Sequence, residues 1–107
     1  MKLYLHGLVL TLAIASSGAS FAQTQFGDFD CGQWIANPSA YRKTWLVGHL
    51  SGINALHIVL EQKPKDPLDK LSSAEQADLW ITNYCKANPL EKVSFASFML
   101  FQELKKR

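Results

Sequence analysis

The sequence predicts a small all-α domain of four helices stapled by one disulfide, and three observations carry that prediction. Apolar residues recur at helical spacing in three long stretches. Capping residues and prolines punctuate the chain between them, and the only two cysteines stand far apart. At 107 residues, 48% hydrophobic and 19% charged, the chain has single-domain size and is too apolar for the disordered class. It is too short for a two-domain nucleotide-binding enzyme, and no apolar run reaches the ~20 residues of a membrane span.

Residues 1–22 have the pattern of a secretory signal peptide. Lys2 opens it, residues 8–15 form an apolar run broken only by Thr11, and Ser16, Ser17, Gly18, Ala19, Ser20 and Ala22 supply small residues. Ser20 and Ala22 occupy the two positions a signal peptidase wants small, which sets the cut before Gln23. So short a run disfavours an uncleaved anchor, and no cysteine near the cut suits a lipoprotein. Removal leaves 85 residues with a formal charge of +1. Basic residues cluster only at Lys105, Lys106 and Arg107, which suit the negative end of a last helix, so no nucleic-acid partner is expected. The expected location is the periplasm.

Both cysteines, Cys31 and Cys85, fall in the exported portion, where thiols pair. A redox pair would be spaced CxxC and a zinc site would cluster four ligands; 54 positions separate these two. One structural disulfide is expected.

Residues 23–30 have no period and are expected to be a flexible lead, although Phe26 and Phe29 can dock on the domain of residues 31–107. Asp30 can cap a first short helix through Cys31, Trp34 and Ile35, which stops at Asn37-Pro38. Asn37 and Pro38 are then expected to start the second helix, reaching about Gln62. Its stripe of Tyr41, Trp45, Gly48, His49, Gly52, Leu56 and Val59 is taken as the core side. Val47, Leu50 and Ile58 interrupt the opposite side, so something should cover that face too. Residues 63–71, with Pro64 and Pro67 among five charges, read as an exposed loop.

Ser72 with Glu75, or Ser73 with Gln76, offers a capping box for the third helix. That helix buries Ala77, Trp80, Ile81 and Tyr84 and carries Cys85 near its end. Asn88-Pro89, with Glu91, is expected to start the last helix, burying Leu90, Val93, Leu100, Phe101 and Leu104. Phe95, Phe98 and Met99 fall well off that stripe. They either meet the first helix and Phe26 or form a surface patch for self-association.

The segment Gly48-His49-Leu50-Ser51-Gly52 lacks the spacing of a G-x-S-x-G nucleophile elbow and lies in a helix. Its glycines, four apart, instead permit close approach of another helix. His49 and His57 lie ~12 Å apart along the axis and about 80° apart in azimuth, so they cannot share a metal ion. His49 is expected to be a hydrogen-bonded structural histidine. Asp66, Asp69, Glu75 and Asp78 are read as loop and cap charges on a solvated face. No catalytic role, metal or cofactor is expected.

The strings Cys31-Gly32-Gln33-Trp34-Ile35, Trp45 through Asn54 (WLVGHLSGIN), Leu71-Ser72-Ser73 with Gln76 and Trp80, Asn83-Tyr84-Cys85, Asn88-Pro89-Leu90 and Glu103-Leu104 resemble the Rap/Tai immunity proteins. The likeness spans residues 31–104. It implies an exported, disulfide-bonded helical domain. Many members of that family are dimers that bind and block a peptidoglycan amidase delivered by a type VI secretion system. The architecture is also similar to HdeA-type periplasmic acid-stress proteins, which makes an acid-activated chaperone the second expectation; an envelope protein of another role on the same scaffold is a third. For the immunity reading, the longest polar loop, with Lys63, Lys65, Asp66, Asp69 and Lys70, is the expected partner edge, and Phe95, Phe98 and Met99 the expected self-association patch.

Overall fold

The computed structural model describes residues 26–62 and 65–107, so the expected signal peptide and Lys63 lie outside the described residues. Among the described residues four α-helices follow in order: α1 (Cys31–Ala36), α2 (Ala40–Glu61), α3 (Ala74–Ala87) and α4 (Val93–Lys106). A 3₁₀ turn, Pro67–Lys70, sits between α2 and α3. Among the described residues the only β pairing is an isolated bridge between Asp30 and Lys92. The chain is a small all-α domain.

The first helix starts where its capping chemistry is complete. The Asp30 carboxylate accepts from Gln33 N at 2.8 Å, and Gln33 Oε1 accepts from Asp30 N at 3.0 Å. This reciprocal box satisfies donors that a six-residue helix cannot pair internally. Asn37 ends it, with both its backbone N–H and its side-chain amide donating to Gln33 O. Asn37 therefore does not begin α2 as expected. Ser39 does, accepting from Arg42 N, because an asparagine turned back to close one helix cannot also cap the next.

The buried side of α2 is also not the expected stripe. Leu46 and Leu50 are enclosed, Trp45 and His49 are half-buried, and Tyr41, Leu56 and Val59 are 62%, 60% and 69% exposed. The true inward face is rotated roughly 130° from the expected one. Both sides of α2 are apolar, so periodicity alone does not choose between them. Packing by α3 and α4 on the Leu46 side makes the choice.

In α3 the Ser73 hydroxyl accepts from Gln76 N, while Gln76 Oε1 reaches Ser72 N rather than the cap residue itself. Ala77, Ile81 and Cys85 are buried on its inner face, with Trp80 and Tyr84 packed partly against the core. Asn88 finishes this helix by donating its side-chain amide to Tyr84 O at 3.0 Å, and residues 88–91 form a turn. The last helix consequently begins four residues later than expected, and Leu90, expected inside, is 96% exposed.

With Lys92 contributing no side-chain cap, α4 is started from another part of the chain. Val93 N donates to Phe29 O, Ser94 N to Asp28 Oδ1, and Ser94 Oγ to Asp28 Oδ2 at 2.7 Å. The carboxylate sits at the positive end of the helix dipole, where it is favoured. Residues 28–30 of the lead are thereby docked, and Phe29 packs edge-on against Trp34, Tyr41 and Trp45. Phe26 stays 91% exposed, although its carbonyl accepts from Trp45 Nε1.

Gly27 makes this docking possible. Its φ of 73° lies in the left-handed region, and a Cβ there would sit 2.9 Å from Trp45 and 3.0 Å from the Tyr41 hydroxyl. Gly27→Ala is expected to cost about 1–2 kcal/mol and to release the lead, seen as a shift in Trp45 fluorescence and faster amide exchange at Ser94.

Two crosslinks tie α1, α2 and α3. Cys31 and Cys85 form the expected disulfide, Cα atoms 4.9 Å apart, fully enclosed in the core. Beside it Arg42 makes a bidentate pair with Asp78, Nη2 to Oδ1 at 2.8 Å and Nε to Oδ2 at 3.1 Å. The same guanidinium donates to Trp34 O and lies 4.6 Å from the Trp34 ring centroid. Asp78 is thus a structural anion at 16% side-chain exposure and not a charge on a solvated face as expected.

Candidate interaction surface

The loop after α2 is held more firmly than an exposed loop need be. Gln62 closes α2 in the left-handed conformation at φ 51°. Asp66 Oδ1 then accepts from Leu68 N at 3.0 Å and from Asn54 Nδ2 at 2.8 Å, pinning the 3₁₀ turn to α2. Pro67 is buried and Leu68 packs against the core, which corrects the expectation of a wholly exposed segment. Proline suits the first position of such a turn, and its ring supplies the apolar surface that anchors it.

The expected partner residues divide accordingly. Asp66 is committed to capping, and Lys70 donates to Leu104 O at 3.2 Å, meeting the negative end of α4. Lys65 and Asp69 are exposed. The loop therefore presents a charged pair on backbone whose ends are fixed, so little ordering entropy would be lost if a partner met it.

Phe95, Phe98 and Met99 are 47%, 46% and 38% exposed, and Phe98 and Met99 border different grooves. Phe98 lines a shallow groove with Leu56, His57 and Leu60 of α2. Met99 borders a neighbouring cleft with Trp80 and Tyr84. Positions 98 and 99 are separated by about 100° around the helix, so neighbours in sequence serve different grooves.

A polar cluster inside the α2–α4 contact comprises Asp28, His49, Ser94 and Ser97. His49 Nδ1 lies 2.6 Å from Ser97 Oγ, and Ser97 Oγ donates to Ser94 O at 2.9 Å. A Ser97 hydroxyl that donates to Ser94 O accepts from the Nδ1-protonated tautomer of His49, so the tautomer sets the direction of this contact. A hydrolytic triad needs a carboxylate holding one imidazole nitrogen, the serine donating to the other, and an accessible hydroxyl. Ser97 is fully enclosed and the Asp28 carboxylate is engaged on Ser94. The cluster satisfies buried polar groups and locks two helices in register.

Burial pushes the His49 imidazole below its usual value, partly offset by the nearby Asp28 charge. Its ring also stacks on Trp45 at 4.8 Å. A histidine depressed in the folded state stabilises fully above its unfolded pKa of about 6.5, and that stability falls as pH drops through the lower folded value. Urea midpoints should therefore fall between neutral pH and the onset of carboxylate titration, and His49→Gln should flatten that part of the profile.

His57 meets Phe101 edge-on at 5.3 Å. Among the described residues no group of three or more His, Cys, Asp or Glu side chains could hold a metal ion, and no helix is long and apolar enough to cross a membrane. Sequence reasoning did not anticipate Asp28, Arg42 or Ser97 as organising residues. Arg42 and Asp78 carried one signal, a charge of each sign interrupting otherwise apolar helix sides, but their pairing joins positions 36 residues apart. Set against known proteins, the chain matches no family model, no curated protein and no solved structure.

Proposed function

We propose that this protein is an exported binding domain that neutralises a partner enzyme by occlusion, in the manner of the Rap/Tai immunity proteins its strings resemble. The partner class is a peptidoglycan amidase delivered by a type VI secretion system, and the compartment is the periplasm. An enclosed disulfide fits an oxidising compartment. One observation carries the reading: a charged loop edge, with Lys65 and Asp69 exposed, whose backbone is pinned by Asp66, Pro67 and Lys70. Blocking a cleft requires a preformed protrusion on a scaffold that does not yield, and affinity then comes from a few anchors and a polar rim.

The test is titration of the oxidised protein against purified amidase effectors at neutral pH, with residual peptidoglycan hydrolysis as the readout. Nanomolar inhibition that weakens at least about tenfold on Lys65→Glu with Asp69→Lys is the expected result. Suppression of client aggregation at about pH 2–3, without amidase binding, would replace this reading with the acid-stress chaperone.

A further inference from the structure

Two clefts meet along the α3–α4 edge, and Trp80 and Glu103 border both of them. The first, of about 180 Å³, has Leu71, Leu100 and Leu104 as its apolar lining, and the last two are buried. A cavity of about 150 Å³ holds benzene, so this one has room for a single six-membered ring. In the second, the Tyr84 ring lies nearly parallel to that of Trp80, with centroids 5.5 Å apart and 14° between planes, and Met99 stands beside them. Apolar and aromatic walls under a few convergent polar groups are the usual make-up of a small-molecule site.

The charges at the rim are already matched within the chain. Lys70 donates to Leu104 O at 3.2 Å, at the negative end of α4, and Arg107 Nη2 lies 3.8 Å from Glu103 Oε1. A ligand carboxylate would compete with Glu103 and meet that helix end, whereas a ligand ammonium would meet Lys70 and Arg107. Both signs of charge are disfavoured. Hydrogen-bonding capacity remains all the same: an ammonium carries three N–H groups and a guanidinium five. Gln76 adds its amide nitrogen, since its Oε1 is taken by Ser72 N at 2.7 Å. Such a rim suits an uncharged ligand rich in groups that both donate and accept, as hydroxyls do.

A sugar ring meets these terms. It presents C–H groups on one face, which suit the negative π face of an indole, and hydroxyls around its edge. The Leu100 and Leu104 floor asks in addition for an apolar group beside those hydroxyls. The methyl of an acetamido substituent is such a group, and its carbonyl can accept from Gln76. We infer that the two clefts form a binding site for a neutral oligosaccharide of N-acetylated hexosamines. One sugar sits in the first cleft with its ring on Trp80, and the next crosses to Tyr84 and Met99. This binding does not depend on the proposed function, and no amidase enters its test.

The probe is triacetylchitotriose, titrated into the oxidised, isotopically labelled protein at neutral pH and followed by amide and indole NMR. Shifts should move at Trp80, Leu71 and Leu104 and stay fixed at Leu56 and Phe98, with a dissociation constant of about 0.1–1 mM. Cellotriose, which lacks the acetamido groups, should bind at least about tenfold more weakly. N-acetylleucine, an apolar anion, should show no binding below about 10 mM. Trp80→Leu keeps apolar bulk against the core and should weaken triacetylchitotriose at least about tenfold, with helical circular dichroism unchanged. Arg107→Glu changes a side chain that is 66% exposed, carries no folding risk from the core, and should weaken it at least about threefold. No shift at about 10 mM triacetylchitotriose overturns the inference. So do equal binding of cellotriose, tighter binding of N-acetylleucine, shifts centred on the α2–α4 groove, or affinity untouched by either substitution.

Discussion

Replacing Cys31 and Cys85 together by alanine is expected to lower the unfolding free energy by about 4 kcal/mol, the largest effect of any change considered. The bridge closes a loop across a sequence separation of 54 and joins the six-residue α1 to α3. A six-residue helix is marginal on its own, and α1 contributes the enclosed Trp34 to the core. Without the bridge the denatured chain recovers its loop entropy, while α1 keeps only its capping box and its packing. Urea denaturation with and without reductant should show the same loss in the wild type, and the alanine variant should no longer respond to reductant. A small domain holds only about 5–15 kcal/mol in reserve, so the reduced protein should populate unfolded molecules at 37 °C.

Arg42→Ala should follow, destabilising by about 3 kcal/mol. The guanidinium satisfies both Asp78 oxygens and Trp34 O and covers the Trp34 ring. Its removal leaves the largely enclosed Asp78 carboxylate unpaired, and an uncompensated charge costs more than the pair itself contributes. Arg42→Met combined with Asp78→Leu should recover much of the loss, because replacing both partners removes the stranded charge. Chemical denaturation of the two single variants and the double completes the cycle and isolates their coupling. By contrast, Lys43→Ala should change little, since its contact with Glu75 at 3.2 Å lies at an exposed surface.

These two crosslinks differ in how visible they were. The disulfide followed from the number of the cysteines and the compartment expected for them, because two thiols have one available pairing. The ion pair did not, because any of several arginines and lysines could face any of several carboxylates. Once α1 is closed by its capping box and its bridge to Cys85, Arg42 is brought against both Trp34 and Asp78.

The helical class, the four helices among the described residues and the starts of α1 and α3 were legible from local chemistry, since a cap and its donor lie within three or four residues of each other. Asp30 with Gln33 and Ser73 with Gln76 are such cases. The start of α4 was not, because its cap is Asp28, 66 residues away, and Asn88 is taken by α3. The inward side of α2 was likewise undetermined. That helix is apolar on two sides, and burial of one depends on where α3 and α4 lie. Local hydrogen bonding and residue spacing therefore determined which segments coil, and the presence of just two cysteines determined which thiols join. Tertiary packing alone decided which face of the longest helix is enclosed, because covering apolar surface is non-directional and the nearest partner takes it.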